Sequence, residues 1–221
     1  MPIYSLNLWL QAAYPLELTM NIFILSEERE PLVHYHQQAH YHIDKHVVKM
    51  IAESVQMLVT SLSFHANYDS MIGKLAAAPQ VSNNLPCKPL SASMTKHPCT
   101  VWTASSIINT NYLACLALQL CQEHQYRYPL SPQHAYMAWL EALVDQLTRL
   151  GFGPNYALPT QFAVAVKDTD KRSIATDHVD ALHIYRDYYA RDKRGFATWK
   201  KRMKPVWFIL REEIMDIKAG Y

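Results

Sequence analysis

The chain has 221 residues, of which half are hydrophobic and 18% are charged. This balance predicts a globular protein that buries a sizeable core, and it excludes an intrinsically disordered chain, which would be poorer in apolar residues. The formal net charge of +2 indicates no particular class of binding partner. Only five glycines, together with apolar residues recurring every three or four positions, predict an all-α fold.

Residues 1–19 are apolar but carry no basic region, so we do not expect a secretory signal. We interpret them as an N-terminal extension and Met20 as an alternative start, followed by a single helical domain over residues 20–221. The four cysteines form no C-x-x-C pair, which favours a reducing cytoplasm. No run of residues is long and apolar enough to span a bilayer, so we expect no membrane partner.

The segment Asn21–Leu25 predicts a short strand or an extended segment, and the acidic run after Ser26 predicts the start of a helix. Two histidine pairs, His36/His40 and His42/His46, have the i, i+4 spacing that can hold a metal ion. No cysteine or carboxylate at ligand spacing completes such a site. We therefore interpret these histidines as structural or surface residues and expect neither a metal nor any other cofactor.

Residues 42–62 predict the central helix of the fold. Six apolar residues spaced by three and four predict its core side: Ile43, Val47, Ile51, Val55, Leu58 and Leu62. A second set lies on the opposite side and is called the polar stripe below: Lys45, Lys49, Glu53, Gln56 and Thr60. Because these side chains rise from one line of the surface, they either act together on one ligand or form a solvated face with a Lys49–Glu53 ion pair.

The remaining elements follow in chain order. Residues 65–96 predict a long loop with a short helix near 70–78. Three further helices are predicted over residues 100–128, 133–150 and 176–189, the last with Val179, Leu182, Tyr185 and Tyr189 on its buried side.

Residues 191–204, called the basic segment below, contain seven basic residues and one acid. Phe196 and Trp199 lie between these cations, and Trp207 follows them. Cations interleaved with aromatic rings are typical of surfaces that contact a phosphate backbone and stack on bases. The alternative is a solvated basic helix end whose aromatic residues complete the core.

Three short motifs follow one another along the chain. They are Met20-Asn21-Ile22-Phe23; Asp44-Lys45-His46 with Lys49, Glu53 and Gln56; and His97-Pro98 with Trp102, Asn111-Tyr112, Glu123 and Arg127. Together they resemble the pyrimidine-dimer DNA glycosylases of the phage endonuclease V type and their bacterial relatives. The resemblance covers residues 20–128, with a looser likeness in the basic segment. It implies an all-α fold that acts on DNA.

In that family the amine at the chain start attacks C1′ of the damaged nucleotide, and a helix carboxylate assists. The resemblance places Glu53 at the position of that carboxylate. Three alternatives remain for the attacking amine. Met20 is the natural start and its own amine attacks, or Lys49 supplies the amine, or the protein has no lyase chemistry. The DNA-binding residues are then expected to be Lys45, His46, Gln56, His97, Arg191, Lys193, Arg194, Trp199, Lys200, Lys201, Arg202 and Lys204.

The chain departs from the phage endonucleases around Glu53, where it has Ala52 and Gln56 instead of arginines. The leading hypothesis is a DNA glycosylase, with or without AP-lyase activity, acting on a damaged or modified base in a bacterial or phage-infected cell. One alternative is a DNA-binding accessory protein without catalysis. Another is an enzyme that processes hypermodified bases in phage DNA.

Overall fold

The computed structural model describes residues 20–65, 71–77, 91–166 and 176–220, and this part of the chain is mostly helical. The helices are α1 (Pro31–Tyr41), α2 (Asp44–His65), α3 (Met71–Ala77), α4 (Pro98–Ala104), α5 (Ile107–Arg127), α6 (Met137–Arg149), α7 (His178–Asp192) and α8 (Val206–Ala219). Two strands, β1 (Gln161–Phe162) and β2 (Thr176–Asp177), form a small antiparallel sheet in which Phe162 pairs with Thr176. The predicted all-α fold is confirmed. The interpretation of residues 1–19 lies outside the described residues.

Helix α2 is the centre of the fold, and it packs mainly against α5 and α4. Its predicted core residues are all buried: Ile43, Val47, Ile51, Val55, Leu58 and Leu62. Among the described helices, α2 alone has the length and apolar composition to cross a membrane, although the sequence analysis expected no such run. In the most apolar 18-residue stretch of α2, 56% is buried inside the protein. This burial accounts for the apolar composition of the helix.

Of the two alternatives for Asn21–Leu25, the extended segment is confirmed and the strand is not. These residues form a buried extended segment outside the described sheet. A side chain of α1 replaces the strand partner: Gln38 Oε1 accepts hydrogen bonds from the backbone N–H groups of Leu25 (2.7 Å) and Ser26 (2.8 Å), and its amide nitrogen donates to Phe23 O. A single amide thus satisfies the buried backbone groups that a neighbouring strand would otherwise satisfy.

Helix α1 begins after Glu30, whose carboxylate accepts a hydrogen bond from the Val33 N–H at 2.8 Å. The single helix predicted over residues 100–128 is instead two helices, α4 and α5, separated at Ser105 and Ser106. Ser106 has an extended backbone, and its hydroxyl accepts a hydrogen bond from the Asn109 N–H at 3.1 Å. This side-chain cap starts a new helix where the apolar pattern ran through without a break.

The later helices differ from prediction at their ends. Helix α6 begins at Met137, four residues later than expected, and α7 begins at His178 after a cap by Asp177. Val179, predicted to be buried, is 59% exposed because it lies in the first turn of α7 on its solvent side. The predicted buried residues Leu182, Tyr185 and Tyr189 are confirmed. Helix α8 was not predicted.

Arg127 joins three helices at one end of the protein. Its side chain is fully buried and contacts Glu123 Oε1 at 2.6 Å and Asp44 Oδ1 at 2.9 Å. It also donates to the carbonyl oxygens of His40 and His42, each at 2.9 Å. Arg202 of the basic segment binds both oxygens of the same Glu123. This network fixes the basic segment beside the start of α2.

Candidate functional site

Glu53 lies one helical turn after Lys49 on the polar stripe of α2. Its side chain is 14% exposed, and Oε1 lies 2.9 Å from Lys49 Nζ, so the predicted ion pair is confirmed. Oε2 is buried and has no hydrogen-bond partner in the part of the chain that the structure describes. Burial raises the pKa of Glu53, and the neighbouring Lys49 only partly opposes this. A buried carboxylate oxygen without a partner is costly for a purely structural residue.

Cys99 of α4 interacts both with Glu53 and with the backbone of Ile22, two residues after Met20. Burial raises the pKa of the Cys99 thiol to about 12, and the charge of Glu53 adds to this effect. Met20 itself is 3% exposed. Cys99 is therefore a shared neighbour of Glu53 and of the extended segment at Ile22.

Lys45 and Lys193 meet over two aromatic rings at the N-terminal end of the polar stripe. Lys45 Nζ lies 4.5 Å from the centre of the Phe196 ring, and Lys193 Nζ lies 4.5 Å from the centre of the Tyr188 ring. These four residues are called the lysine–aromatic cluster below. Phe196 is 37% exposed. Lys45 is exposed and Lys193 is half-buried. Cations held over ring faces suit a ligand that combines phosphates with bases.

Two predicted DNA-binding residues are not available at the surface. His46 is 6% exposed; its Nδ1 lies 2.6 Å from the Tyr189 hydroxyl, and its ring stacks on Phe23. Trp199 is 7% exposed, and its indole N–H donates to Tyr41 O at 3.0 Å. Both predictions are wrong, because tertiary packing covers the rings that would have met DNA. For Trp199 the alternative interpretation, an aromatic residue that completes the core, is confirmed.

Most cations of the basic segment are already paired. Arg194 binds Asp216 at 2.7 Å and Lys204 binds Glu212 at 2.8 Å, and both acids belong to α8. Arg202 binds Glu123, and Arg191 binds the neighbouring Asp192. Three predicted cations have no carboxylate partner among the described residues: Lys193, Lys200 and Lys201. The segment therefore presents less free positive charge than its sequence suggests.

Lys200 and Lys201 lie over tyrosines at the end of α5. Lys200 Nζ is 4.8 Å from the centre of the Tyr128 ring. Lys201 Nζ donates to Tyr126 O at 3.0 Å. Both lysines are exposed, so they extend the positive surface away from the lysine–aromatic cluster.

Gln56, Thr60 and His97 hold the chain before α4 in place. Gln56 Nε2 donates to Ser91 O at 2.7 Å, and the Thr60 hydroxyl donates to Ser93 O at 2.8 Å. His97 accepts a hydrogen bond from the Cys99 N–H at 3.2 Å and caps α4. Thr60 is fully buried and so does not belong to the surface part of the polar stripe. Gln56 and His97 are partly exposed, but their polar groups already have local structural partners.

Sequence reasoning missed Cys99 and Tyr188, which adjoin the two ends of the site. No spacing or motif distinguishes either residue from ordinary core residues, because their role depends on contacts between helices far apart in the chain. Across the described ranges, no group of three or more His, Cys, Asp or Glu side chains is placed to hold a metal ion. No family model, curated protein or solved structure matches the chain.

Proposed function

We propose that the protein is a DNA glycosylase that acts on a damaged or modified base, with Glu53 as the catalytic carboxylate. The observation that carries this proposal is the environment of Glu53: one oxygen on Lys49, the other buried without a partner, and a raised pKa. Perturbed carboxylates of this kind concentrate at functional sites. The resemblance to the endonuclease V type, which places a catalytic carboxylate at this position, supports the assignment.

The chemistry requires a carboxylate that stabilises positive charge on the sugar and moves a proton. In the amine-dependent route, a neutral amine attacks C1′ of the target nucleotide. The bond between C1′ and the base breaks, its electron pair leaves with the base, and the base is protonated. Lys49 is one candidate amine, because Glu53 can accept the proton that its ammonium group must lose before attack. The α-amine of a chain that starts at Met20 is the other candidate.

DNA binding would use the lysine–aromatic cluster, which lies at the Lys45 end of the polar stripe, next to Lys49. Lys45 and Lys193 supply charge for phosphates, and Phe196 offers an exposed ring. Because Glu53 is only 14% exposed, the target nucleotide must leave the base stack to reach it.

The tests are base release from DNA that carries damaged or modified bases and, separately, borohydride trapping of an imine on DNA that carries an abasic site. We expect the Glu53→Gln variant to lose base release by at least about a hundredfold, within the range that loss of a catalytic acid or base produces. The matched control is Glu141→Gln, which changes an exposed glutamate on α6. Equal activity of the wild type and Glu53→Gln would overturn the catalytic assignment.

The two candidate amines are separated by variants. A protein that starts at Met20 and still contains Lys49 is compared with the full chain and with Lys49→Arg. Trapping by only the shorter protein assigns the α-amine, and loss of trapping in Lys49→Arg assigns the lysine. Base release without trapping assigns a glycosylase without lyase activity. Mass spectrometry of the released base on plain and modified DNA separates repair from the processing of hypermodified bases.

A second candidate is a DNA-binding protein without catalysis. The low exposure of Glu53 beside exposed lysines such as Lys45 favours this alternative. It predicts salt-sensitive DNA binding with no released base and no effect of Glu53→Gln.

A further inference from the structure

Helix α8 carries an apolar stripe that nothing covers in the described structure. Val206, Leu210, Ile214 and Ile217 are each between 51% and 69% exposed. At 100° per residue these four side chains fall within an arc of about 80° on the helix surface. Phe208 and Met215 lie on the opposite side and pack on the core. The helix thus has two apolar faces, and only one of them is used within the chain.

Two charged residues border this stripe. Glu213 lies about 20° beyond one edge and Lys218 about 40° beyond the other. Neither makes an ion pair with any described residue. The other charges of the helix are paired within the chain, Glu212 and Asp216 with the basic segment and Arg211 with Asp187. Glu213 and Lys218 are therefore the charges that remain for a partner on this face.

We propose that the exposed stripe of α8 binds the same stripe of a second copy of this chain, with the two helices parallel about a twofold axis. In a parallel pair, a residue on one flank of the apolar seam faces the opposite flank of the partner helix, about five positions further along. Glu213 and Lys218 have this separation. The ion pair between Glu213 of one copy and Lys218 of the other would therefore form twice in the dimer, once on each side of the axis. An antiparallel pair would place like charges against each other.

A groove between α7 and α8 supports a partner of this charge pattern. It has a volume of ≈ 420 Å³ and is lined by Asp187, Arg191, Arg211, Ile214, Met215 and Lys218. Of its three cations, Arg191 pairs with Asp192 and Arg211 with Asp187, so Lys218 is the lining cation without an ion pair among the described residues. Ile214 belongs to the apolar stripe. The groove therefore lies on the Lys218 flank, where Glu213 of a second copy would arrive. An anionic membrane fits less well, since the other flank carries Glu212, Glu213 and Asp216.

The contact is small, because a 14-residue helix is only about 21 Å long. We therefore expect weak association, with a dissociation constant in the micromolar range, roughly 1–100 μM. The inference does not depend on the proposed function, since α8 and Glu53 are tested by separate variants.

The experiment is sedimentation equilibrium of the full chain at increasing concentration. Leu210→Asp should weaken association by at least about tenfold, because it places a charge in the seam. Glu213→Lys and Lys218→Glu should each weaken it by roughly three- to tenfold, and the double reversal Glu213→Lys/Lys218→Glu should restore it. The matched control is Leu130→Asp, which changes a fully exposed leucine outside α8 and should leave association unchanged.

Orientation is tested by oxidative cross-linking of Leu210→Cys and, separately, Ile217→Cys, with the parent chain as background. In a parallel twofold pair, each introduced cysteine can form a disulfide with the same cysteine of the second copy. In an antiparallel pair, at most one of the two positions can do so. A monomer at all concentrations, or a double reversal that does not restore association, would overturn the proposal. Binding of a monomeric chain to vesicles of phosphatidylserine and phosphatidylcholine would likewise overturn it in favour of a lipid surface.

Discussion

Arg127 shows how one buried residue can fix the relative positions of several helices. Its guanidinium is fully buried and contacts Glu123, Asp44 and two backbone carbonyl oxygens at the end of α1. A buried cation is tolerated only when its donors are satisfied, and here four of its five N–H groups have well-placed acceptors. The positions of α1, α2 and α5 are thereby coupled at one point.

We expect Arg127→Ala to lower the free energy of unfolding by about 3–5 kcal/mol, because it leaves buried acceptors unsatisfied. Chemical denaturation in urea measures this change. Arg149→Ala is the control: its ion pair with Asp145 is exposed and should contribute less than about 0.5 kcal/mol. A loss of similar size in both variants would contradict the importance of the buried network.

His42 is a buried histidine whose protonation opposes folding. Its Nδ1 lies 2.7 Å from Gln38 O, so this nitrogen carries the proton of the neutral ring. Burial lowers the pKa of His42 to about 4, below its value of 6.5 in the unfolded chain. The unfolded state therefore binds a proton that the folded state does not bind between these two pKa values. The stability that depends on neutral His42 is complete above pH 6.5 and is lost as the pH falls towards 4.

Between pH 7 and pH 5, we expect His42 to account for a loss of about 2 kcal/mol in the free energy of unfolding. Urea titrations at the two pH values measure this loss. His42→Gln should reduce the difference between them by about that amount, whereas replacement of the exposed His36 by Gln should not. An unchanged pH difference in His42→Gln would show that another group controls acid sensitivity.

At the scale of secondary structure, the turn after α6 illustrates how a helix end is held by another helix. Gly151 and Gly153 both have positive φ, at +88° and +105°. The Asn111 side chain of α5 accepts a hydrogen bond from Gly153 N at 2.8 Å and donates to Gly153 O at 3.0 Å. This pair of bonds holds the turn against the N-terminal part of α5. In this arrangement the backbone of Gly153 lies close to the Thr148 side chain.

We expect Gly151→Ala to cost about 1–2 kcal/mol, through backbone strain alone, because a Cβ there meets open space. Gly153→Ala should cost about 1–3 kcal/mol more, since its Cβ would lie 2.5 Å from Thr148 Oγ1. Thermal or urea unfolding measures both. In a Thr148→Ala background the excess should shrink, because Oγ1 is removed while the Cβ and Cα of residue 148 stay at 3.3 and 3.4 Å. An unchanged excess would show that the clash is not the cause.

At the scale of the whole molecule, the fold determines which cations pair with internal carboxylates and which remain able to bind a ligand. The turn and loop after α7 bring Arg194 and Lys204 onto the acids of α8, while Lys45 and Lys193 stay beside aromatic rings. A phosphate backbone that binds Arg194 or Lys204 must compete with an internal carboxylate. The lysine–aromatic cluster has no such competitor among the described residues.

If the protein binds DNA as proposed, Lys45→Ala and Lys193→Ala should each weaken binding without regard to sequence and reduce the salt slope by about 1. Fluorescence anisotropy at several salt concentrations measures both quantities. Lys204→Ala is the matched control, because its ammonium group lies 2.8 Å from Glu212. A larger effect of Lys204→Ala than of Lys45→Ala would place the DNA surface elsewhere.

The sequence by itself determined the features that depend on neighbours within one helix. The buried side of α2 and the ion pair between Lys49 and Glu53 both follow from the 3.6-residue period. The approximate positions of α6 and α7 follow in the same way, whereas the short helix α3 was predicted within a loop of little periodicity. Helix ends were less predictable, as at Ser106, because one capping side chain can interrupt an unbroken apolar pattern.

Only the tertiary structure decided the features that depend on partners far along the chain. Arg202 binds Glu123 across 79 residues, and the Trp199 indole meets Tyr41 across 158. Gln38, in another element, takes the place of a strand partner for residues 23–26. The sequence shows that a residue is charged or aromatic, but its burial and its partner are set by the packing of helices. That packing determines which of the predicted contact residues remain exposed to a ligand.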